Sequence, residues 1–357
     1  MYENDSRTVL TLDAGGTNFV FSAIRACREV VEPVRMDAVT DDVERCLDVL
    51  KEGFRTVQNA MDDSAMAISF AFPGPADYVA GVIGNLPNFP CFRDGVAMGP
   101  YLEEVFGLPV YINNDGNLFA YGEAISGVLP QMNARLEAAG SSFRYQNLIG
   151  LTLGTGFGAG VVLNGELLRG DNGCGGDVWL MRNVFQPDLY VEENVSIRAV
   201  KRVYREVSGD DSELSPKDIF DIAEGHRHGD ASAAREAFRR LGVAAADALA
   251  HTLDIADGLV VVGGGLSGAA KYFFPSLVEA VNPWLQMEVL DLTTETGMRR
   301  FLEDRSILVR VPGSDRKVRY RVQKKTGICV STLGTSKAVS LGAYAFALNS
   351  LDKSVAV

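Results

Sequence analysis

Two stretches of this chain share one order of features: an apolar strand, a turn of glycine and threonine, and a second strand. The first covers residues 8–21, with the turn Asp13-Ala14-Gly15-Gly16-Thr17-Asn18, and the second covers residues 147–165, with Gly154-Thr155-Gly156 in its turn. Apolar and β-branched residues on both sides of such a turn favour a hairpin over a strand that enters a helix. The repetition predicts two similar lobes, each of which supplies a phosphate loop to one cleft.

The glycine turns have the chemistry of a polyphosphate site. Gly15 and Gly16 carry no Cβ, so their backbone N–H groups can approach anionic oxygens, and Thr17 adds a hydroxyl. Asp13 can hold a hydrated magnesium ion beside the phosphates. A third glycine turn, residues 263–265, follows an apolar strand and would let the chain pass close to adenine and ribose.

Composition limits the classes of protein to consider. A chain of 357 residues, 47% hydrophobic and 22% charged, has room for two globular domains. The net charge of -12 argues against nucleic-acid binding by phosphate neutralisation. The N-terminus has no apolar signal core and no run is long enough to span a membrane. The five cysteines include no C-x-x-C pair, which favours reduced thiols in a cytoplasm.

Hydrophobic periodicity gives a coarse secondary structure. Residues 130–145 are polar and mixed in pattern, so we expect a connection between lobes there. The remaining predicted elements are helices at 41–61, 101–106, 118–127, 192–207, from 215, 230–254 and 335–348, and strands at 65–72, 109–112, 258–262, 307–311 and 317–322.

An aspartate follows one predicted strand, in Asn113-Asn114-Asp115-Gly116-Asn117. Such a residue often only caps the helix that begins there. Alternatively, Asp115 is a general base at the carboxyl edge of a sheet, where ligands of α/β folds bind. The residues alone leave both interpretations open.

A dinucleotide-binding fingerprint is a competing interpretation of the second turn. The sequence from Gly154 to Ala159 fits G-x-G-x-x-A after an apolar strand. That fingerprint requires a helix next, whereas residues 161–168 read as more strand. A dehydrogenase is therefore disfavoured.

Taken together, these stretches resemble the ROK family of sugar kinases, within the actin-like ATPase fold. The resemblance implies an α/β chain of two actin-like, ribonuclease-H-like lobes, each a mixed sheet flanked by helices, with an ATP and sugar cleft between them. We expect the lobes at 1–127 and 128–334, and a C-terminal helix at 335–357 that returns toward the first lobe. The matching motifs, in family order, are Asp13-Ala14-Gly15-Gly16-Thr17-Asn18, Phe72-Pro73-Gly74-Pro75, Asn85-Leu86-Pro87-Asn88-Phe89-Pro90, Asn113-Asn114-Asp115-Gly116-Asn117, residues 153–160, Asn164-Gly165 and Val262-Gly263-Gly264-Gly265.

The resemblance implies an ATP-dependent kinase that phosphorylates the primary hydroxyl of a hexose, with Asp115 as general base and Mg²⁺ as cofactor. We expect glucose as substrate, with fructose or N-acetyl amino sugars as alternatives, in a cytoplasmic homodimer. The implied sugar contacts are Asn88, Asn114, Asp177 and Glu192. The implied nucleotide contacts are Asp13 (through magnesium-bound water), Gly15, Gly16, Thr17, Asn18, Gly154, Thr155, Gly156, Gly264 and Gly265.

The chain also departs from the family. Where the family usually has Gly-Glu-Ile-Gly-His, this sequence has Gly176-Asp177-Val178-Trp179-Leu180, so Asp177 would replace the glutamate while Leu180 cannot hydrogen-bond a hydroxyl. The family's zinc-binding cysteine cluster is missing, and we expect no structural zinc. Glu193 competes with Glu192 as a sugar contact. A non-catalytic sugar sensor is a further alternative, although the ROK repressors carry a DNA-binding segment ahead of the first phosphate loop, which here begins by Asp13.

Overall fold

The computed structural model describes residues 2–14, 18–74, 76–84, 92–93 and 95–355. Gly15, Gly16, Thr17 and Asn88, which the sequence analysis assigned to the phosphate and sugar sites, lie outside the described residues. Within the described part, no helix has the length and apolarity needed to cross a membrane. The cysteines described there, Cys27, Cys46, Cys174 and Cys329, are free thiols.

The chain contains groups of consecutive strands separated by one or more helices. The strands are β1 (Thr8–Ala14), β2 (Asn18–Arg25), β3 (Arg28–Glu29), β4 (Val34–Asp37), β5 (Ala65–Ala71), β6 (Ala76–Asp77), β7 (Val82–Ile83), β8 (Val110–Asn113), β9 (Leu148–Leu153), β10 (Phe157–Leu163), β11 (Glu166–Leu167), β12 (Leu259–Gly263), β13 (Glu288–Asp291), β14 (Ser306–Arg310), β15 (Lys317–Arg321) and β16 (Lys325–Val330). The helices are α1 (Val43–Asn59), α2 (Met98–Phe106), α3 (Asp115–Ile125), α4 (Val128–Ala138), α5 (Ile197–Ser208), α6 (Pro216–Glu224), α7 (Ala231–Ala256), α8 (Ala270–Val281), α9 (Glu295–Leu302) and α10 (Thr335–Val355).

Strands β1 and β2, on either side of the first glycine stretch, are neighbours in one sheet, and strands β9 and β10, on either side of the second, are neighbours in another. The first sheet has the order β3-β2-β1-β5-β8, with β4 also paired to β2; β1 and β2 are antiparallel, while β5 and β8 continue parallel to β1. The second sheet has the order β11-β10-β9-β12-β16-β13, with β12, β16 and β13 parallel to β9. Each sheet therefore consists of a hairpin followed by parallel strands, which confirms the predicted fold class.

The structure of the second hairpin excludes the dinucleotide-binding interpretation of residues 154–159. After the turn at residues 154–156 the chain enters β10, which pairs with β11, and no helix follows the glycines. The fingerprint needs a helix N-terminus at that point to hold a pyrophosphate. The chain lacks this arrangement at the second glycine turn.

Contacts divide the chain into two compact units. Unit 1 contains residues 1–128, 160–176 and 332–357, and unit 2 contains residues 129–159 and 177–331. The predicted domains placed 160–176 in the second lobe, whereas contacts group this segment with unit 1. In unit 1, α10 packs on α3 and on the first sheet.

The segment predicted as a polar connection, 130–145, begins inside a helix instead. Val128, Met132 and Leu136 follow one another at steps of four and are all buried, so α4 presents one apolar face. Pro130 falls in the first turn, where the missing N–H has no partner to lose. The polar, mixed composition of 130–145 predicted a connection, and the helix α4 occupies its first part instead. The helix predicted from residue 192 also begins later, at Ile197.

Candidate active site

Asp115 is the first residue of α3, and only Asn114 separates it from the end of β8. The side chain of Asn114 caps the helix, because its Oδ1 accepts the Gly116 N–H at 2.8 Å; the Asp115 Oδ1 accepts the same N–H at 2.9 Å. Behind them, the buried Asn113 side chain accepts from the Asn114 N–H and from the Asn117 amide. The helix start is therefore capped by Asn114 together with Asp115, and the Asp115 residue remains accessible to solvent.

The protein around the Asp115 carboxyl changes its acidity. Desolvation raises the pKa of Asp115, and the negative charge of Asp13 raises it further, against the opposing effect of the backbone N–H groups of Gly116 and of Asp115 itself. A carboxylate with a raised pKa is a stronger base than an ordinary aspartate. This is the property that a general base needs.

Asp13 is a half-buried residue near the end of β1. Its negative charge contributes to the raised pKa of Asp115. Carboxylate oxygens on a site that also takes substrate phosphates suit hydrated Mg²⁺, so these residues fit the ion that the resemblance implies. Among the described residues, no three His, Cys, Asp or Glu side chains form a cluster that could hold a metal by themselves. Asn18 begins β2, where it pairs with Asp37 of β4.

In unit 2, the second glycine turn lies beside the third. The Gly154 N–H donates to the Gly156 carbonyl, and a Cβ built on Gly154 would lie 3.9 Å from the Gly265 nitrogen. Gly264 has a φ of +86°, and a Cβ there would lie 2.3 Å from the Leu153 carbonyl oxygen. Only glycine permits this close approach of the two backbones. The structure thus brings the predicted phosphate and adenosine glycines of this unit together.

Glu192 also reaches this turn. It lies in a short 3₁₀ turn, Val191–Glu193, ahead of α5, and its Oε2 accepts the Phe157 N–H at 3.0 Å. A Cβ on Gly156 would lie 2.7 Å from that oxygen. Both Glu192 and the neighbouring Glu193 pair with Arg198. Of the two rival glutamates, Glu192 is the one bonded to the turn.

Asp177 precedes the 3₁₀ turn Val178–Leu180. Burial raises the pKa of the half-buried Asp177 carboxyl, and a hydrogen bond with Trp179 opposes the rise. Leu180, which replaces the family's histidine, is exposed. An exposed leucine beside a desolvated carboxyl makes a less polar surface than the family pattern implies.

Sequence reasoning missed two kinds of residue around the candidate site. Asn113 and Asn117 stood inside a motif we singled out, but their buried mutual hydrogen bond gives them a supporting position that the motif alone does not reveal. Arg198 donates to the Thr155 carbonyl from 43 residues away, and no signal in the sequence pointed to it.

Comparison with known proteins agrees with this geometry. Residues 9–307 match the model of the ROK family. A crystal structure of a glucokinase from Parabacteroides distasonis is 56% identical, with a TM-score of 0.91, and the match covers 98% of this chain and 99% of that one. A glucokinase of Thermotoga maritima is 26% identical over 84% of this chain and 95% of its own length. An N-acetyl-D-glucosamine kinase of Vibrio parahaemolyticus is 27% identical over 71% of this chain and 83% of its own length. The chain therefore belongs to the ROK family, and it is a sugar kinase of that family.

Proposed function

We propose that this protein is an ATP-dependent hexokinase that transfers the γ-phosphoryl group of ATP to the primary hydroxyl of a hexose, with glucose as the preferred substrate. The observation that carries the proposal is Asp115, a carboxylate with a raised pKa at the first position of a helix that follows a parallel strand. The family and the names of its relatives supply the reaction class.

In the proposed reaction Asp115 accepts the proton of the attacking hydroxyl. Phosphoryl transfer depends mainly on positioning and charge stabilisation, so the proton needs to leave only as the new P–O bond forms. An aspartate is normally a weak base, and the raised pKa of Asp115 brings it closer to this task. Asn114 fixes the start of the helix through Gly116, and we infer that its amide nitrogen contacts a ring hydroxyl.

For the nucleotide, we propose that backbone N–H groups hold the phosphates at Gly154, Thr155 and Gly156 and at the first turn, Gly15, Gly16 and Thr17, with Asn18 beside it. The exposed Thr155 adds a hydroxyl. Gly264 and Gly265 border the adenosine. Asp13 would hold a hydrated Mg²⁺, which when bound neutralises phosphate charge.

For the sugar, we propose contacts from Asn88, Asn114, Asp177 and Glu192. Glu192 keeps one oxygen on the Phe157 N–H and has its other oxygen on Arg198, so both oxygens have lone pairs left for hydroxyl donors. A site that hydrogen-bonds each hydroxyl rejects a sugar that lacks one, because buried partners are then left unpaired. The altered Asp177–Leu180 segment is where this chain would differ from its relatives in substrate choice.

Relatives favour glucose over an amino sugar. The 56% identical protein is described as a glucokinase, while the N-acetyl-D-glucosamine kinase is 27% identical over a shorter match. An enzyme that consumes ATP works where ATP is made, so we place it in the cytoplasm, and we expect a homodimer.

The decisive experiment is a panel of hexoses with Mg-ATP, read as ADP produced in a coupled assay. We expect ADP release that depends on glucose, with lower kcat/KM for fructose, mannose and N-acetylglucosamine. A higher kcat/KM for N-acetylglucosamine would move the assignment to an amino-sugar kinase. Sugar binding by calorimetry without ADP release from any sugar would establish a sensor and overturn the proposal.

A further inference from the structure

Arg198, the second residue of α5, joins the second glycine turn to the two glutamates before the helix. Its Nη1 donates to the Thr155 carbonyl at 3.3 Å, and its Nη2 donates to Glu192 Oε1 at 2.9 Å and to Glu193 Oε1 at 2.7 Å. Its Nε donates to the other oxygen of Glu193 at 3.1 Å. One planar group therefore holds acceptors from three positions of the chain.

The start of α5 supports the same turn at two more points. The backbone N–H of Ile197 donates to the Gly154 carbonyl at 2.8 Å. Glu192 uses its second oxygen to accept the Phe157 N–H. The turn from Gly154 to Phe157 is thus held at its first residue, at Thr155 and at its last residue by one short segment of chain.

The guanidinium nitrogens of Arg198 already donate hydrogen bonds to protein oxygens. Its charge is balanced by two carboxylates, and three of its nitrogens already donate to protein oxygens. A phosphate-binding arginine would keep its donors available for the ligand. A fork of fixed donors that satisfies several acceptors at once instead sets their relative positions.

We propose that Arg198 is a positioning residue that fixes the phosphate turn and the Glu192 carboxylate in one arrangement, so that nucleotide and hexose affinity depend on the same side chain. This rests on the proposed function, in which the turn holds phosphates and Glu192 contacts the sugar. Preorganisation of both ligand sites lowers the ordering cost of each binding step.

Loss of the Arg198 hydrogen bonds should change the affinity for ligands more than the free energy of unfolding. The Arg198 side chain is 45% exposed, and exposed ion pairs contribute little to stability. Arg205 provides a matched control, because it lies on the same helix, has the same 45% exposure and pairs with Asp211 and Glu213 rather than with the turn.

The test compares Arg198→Gln, Arg198→Lys and Arg205→Gln with the wild-type protein. We expect Arg198→Gln to raise the KM for ATP and the KM for hexose each by about fivefold or more, since both sites lose the guanidinium that positions them. Arg198→Lys keeps the positive charge but not the planar group of donors. It should therefore reverse less than half of the increase in log KM that Arg198→Gln causes. Arg205→Gln should stay within twofold on both constants.

A second measurement does not depend on the reaction. Hydrogen exchange of a peptide spanning residues 154–158 should be about tenfold faster in Arg198→Gln than in wild type, because Glu192 loses its anchor and the Phe157 N–H opens more often. Unchanged exchange together with unchanged KM values would overturn the proposal, as would a rise in only one KM. If the wild-type protein phosphorylates no sugar, the proposed function fails, while the exchange difference and the affinity for Mg-ADP, measured by calorimetry, still decide the role of Arg198.

Discussion

The carboxyl group of Asp115 has a raised pKa because surrounding protein desolvates it and because the negative charge of Asp13 lies near it. A general base acts in its ionised form, so activity should rise with pH as Asp115 loses its proton. The acid limb of the plot of kcat against pH should therefore lie at a higher pH than the pKa of an ordinary aspartate, which is about 3.9.

Asp13→Asn removes the charge that opposes ionisation of Asp115, so the acid limb should move to lower pH. The maximal kcat should fall as well, because Asp13 is the proposed magnesium residue. The pH at which kcat reaches half of its maximum is measured independently of that maximum. Asp37→Asn takes a charge from the exposed strand β4 of the same sheet and should leave the limb in place. If the acid limb of Asp13→Asn has the same pH as that of the wild-type protein, the charge of Asp13 does not influence the pKa of Asp115.

Asp115→Asn should lower kcat by roughly a thousandfold, as expected for loss of a general base, while the affinity for Mg-ADP stays within about twofold. The same substitution should not reduce stability. An acid whose folded pKa is raised binds its proton more tightly in the folded state, so the stability it contributes falls as pH rises through the unfolded pKa toward the folded one.

At pH 7, above the value of about 3.9 for an ordinary aspartate, the desolvated Asp115 carboxyl therefore lowers stability, and Asp115→Asn should raise Tm in the absence of ligands. Differential scanning fluorimetry measures this beside the coupled assay. A lower Tm accompanied by lost turnover would mean that the variant is misfolded, and near wild-type turnover would exclude Asp115 as the base.

Local patterns were enough to predict much of the fold. The spacing of apolar residues behind Asp42 gave α1, whose cap is the Asp42 side chain bonded to the Arg45 N–H. The alternation around the glycine turns gave both hairpins. Asp115 was identified as a candidate base because it followed a strand. In each case neighbours along the chain decide the conformation.

Contacts between distant parts of the chain could not be predicted in the same way. Arg198 is a conventional helix surface residue by pattern, and only the folded chain brings Thr155 to it. The helix α4 was missed because residues 130–145 are polar and mixed in pattern, although Val128, Met132 and Leu136 carry its apolar spacing. Long-range packing decides the contact between Arg198 and Thr155, and one sequence carries no local signal of it.

Asp177 tests the sugar side of the proposed site. Its carboxyl is half-buried with a raised pKa, so it is poorly solvated, and the hydroxyl of a sugar bound at the proposed site would compensate for this. Asp177→Ala should raise the hexose KM about tenfold or more and leave the KM for ATP within twofold. Asp171→Ala, an exposed aspartate of the same glycine-rich loop, is the control and should change neither constant.

Asn183 organises the segment that carries Glu192. The side chain is 1% exposed, and its Nδ2 donates to the Tyr190 carbonyl at 3.2 Å. Its Oδ1 accepts from the N–H groups of Phe185 and Gln186 and from the amide of Asn194. Removal of this amide would leave several polar groups without partners, at about 1–3 kcal/mol for each that stays buried.

Asn183→Ala should therefore lower the free energy of unfolding by about 2 kcal/mol or more and raise the hexose KM, as Glu192 becomes less well positioned. Urea unfolding followed by tryptophan fluorescence measures the first effect. Asn172→Ala, at an exposed loop position, should be near neutral in both. Equal stability of the two variants would show that the hydrogen bonds of Asn183 are replaced by water at no cost.

The helices α3 and α10 touch through their backbones at Gly122 and Gly342. A Cβ on Gly122 would lie 1.9 Å from the Ala338 carbonyl oxygen, and a Cβ on Gly342 would lie 1.8 Å from the Leu118 carbonyl oxygen. These obstacles are backbone atoms, so the helices themselves must separate to admit a methyl group, at a typical cost of about 1–3 kcal/mol for overpacking. Gly342→Ala should destabilise the protein by at least that amount in urea unfolding, and because α3 begins at Asp115, a shift of the helix should also lower kcat. Gly268→Ala is the matched control, since a Cβ there meets nothing within 4 Å. Comparable unfolding midpoints for the two variants would mean that the helix pair relaxes without strain, and that its close contact does not hold Asp115 in position.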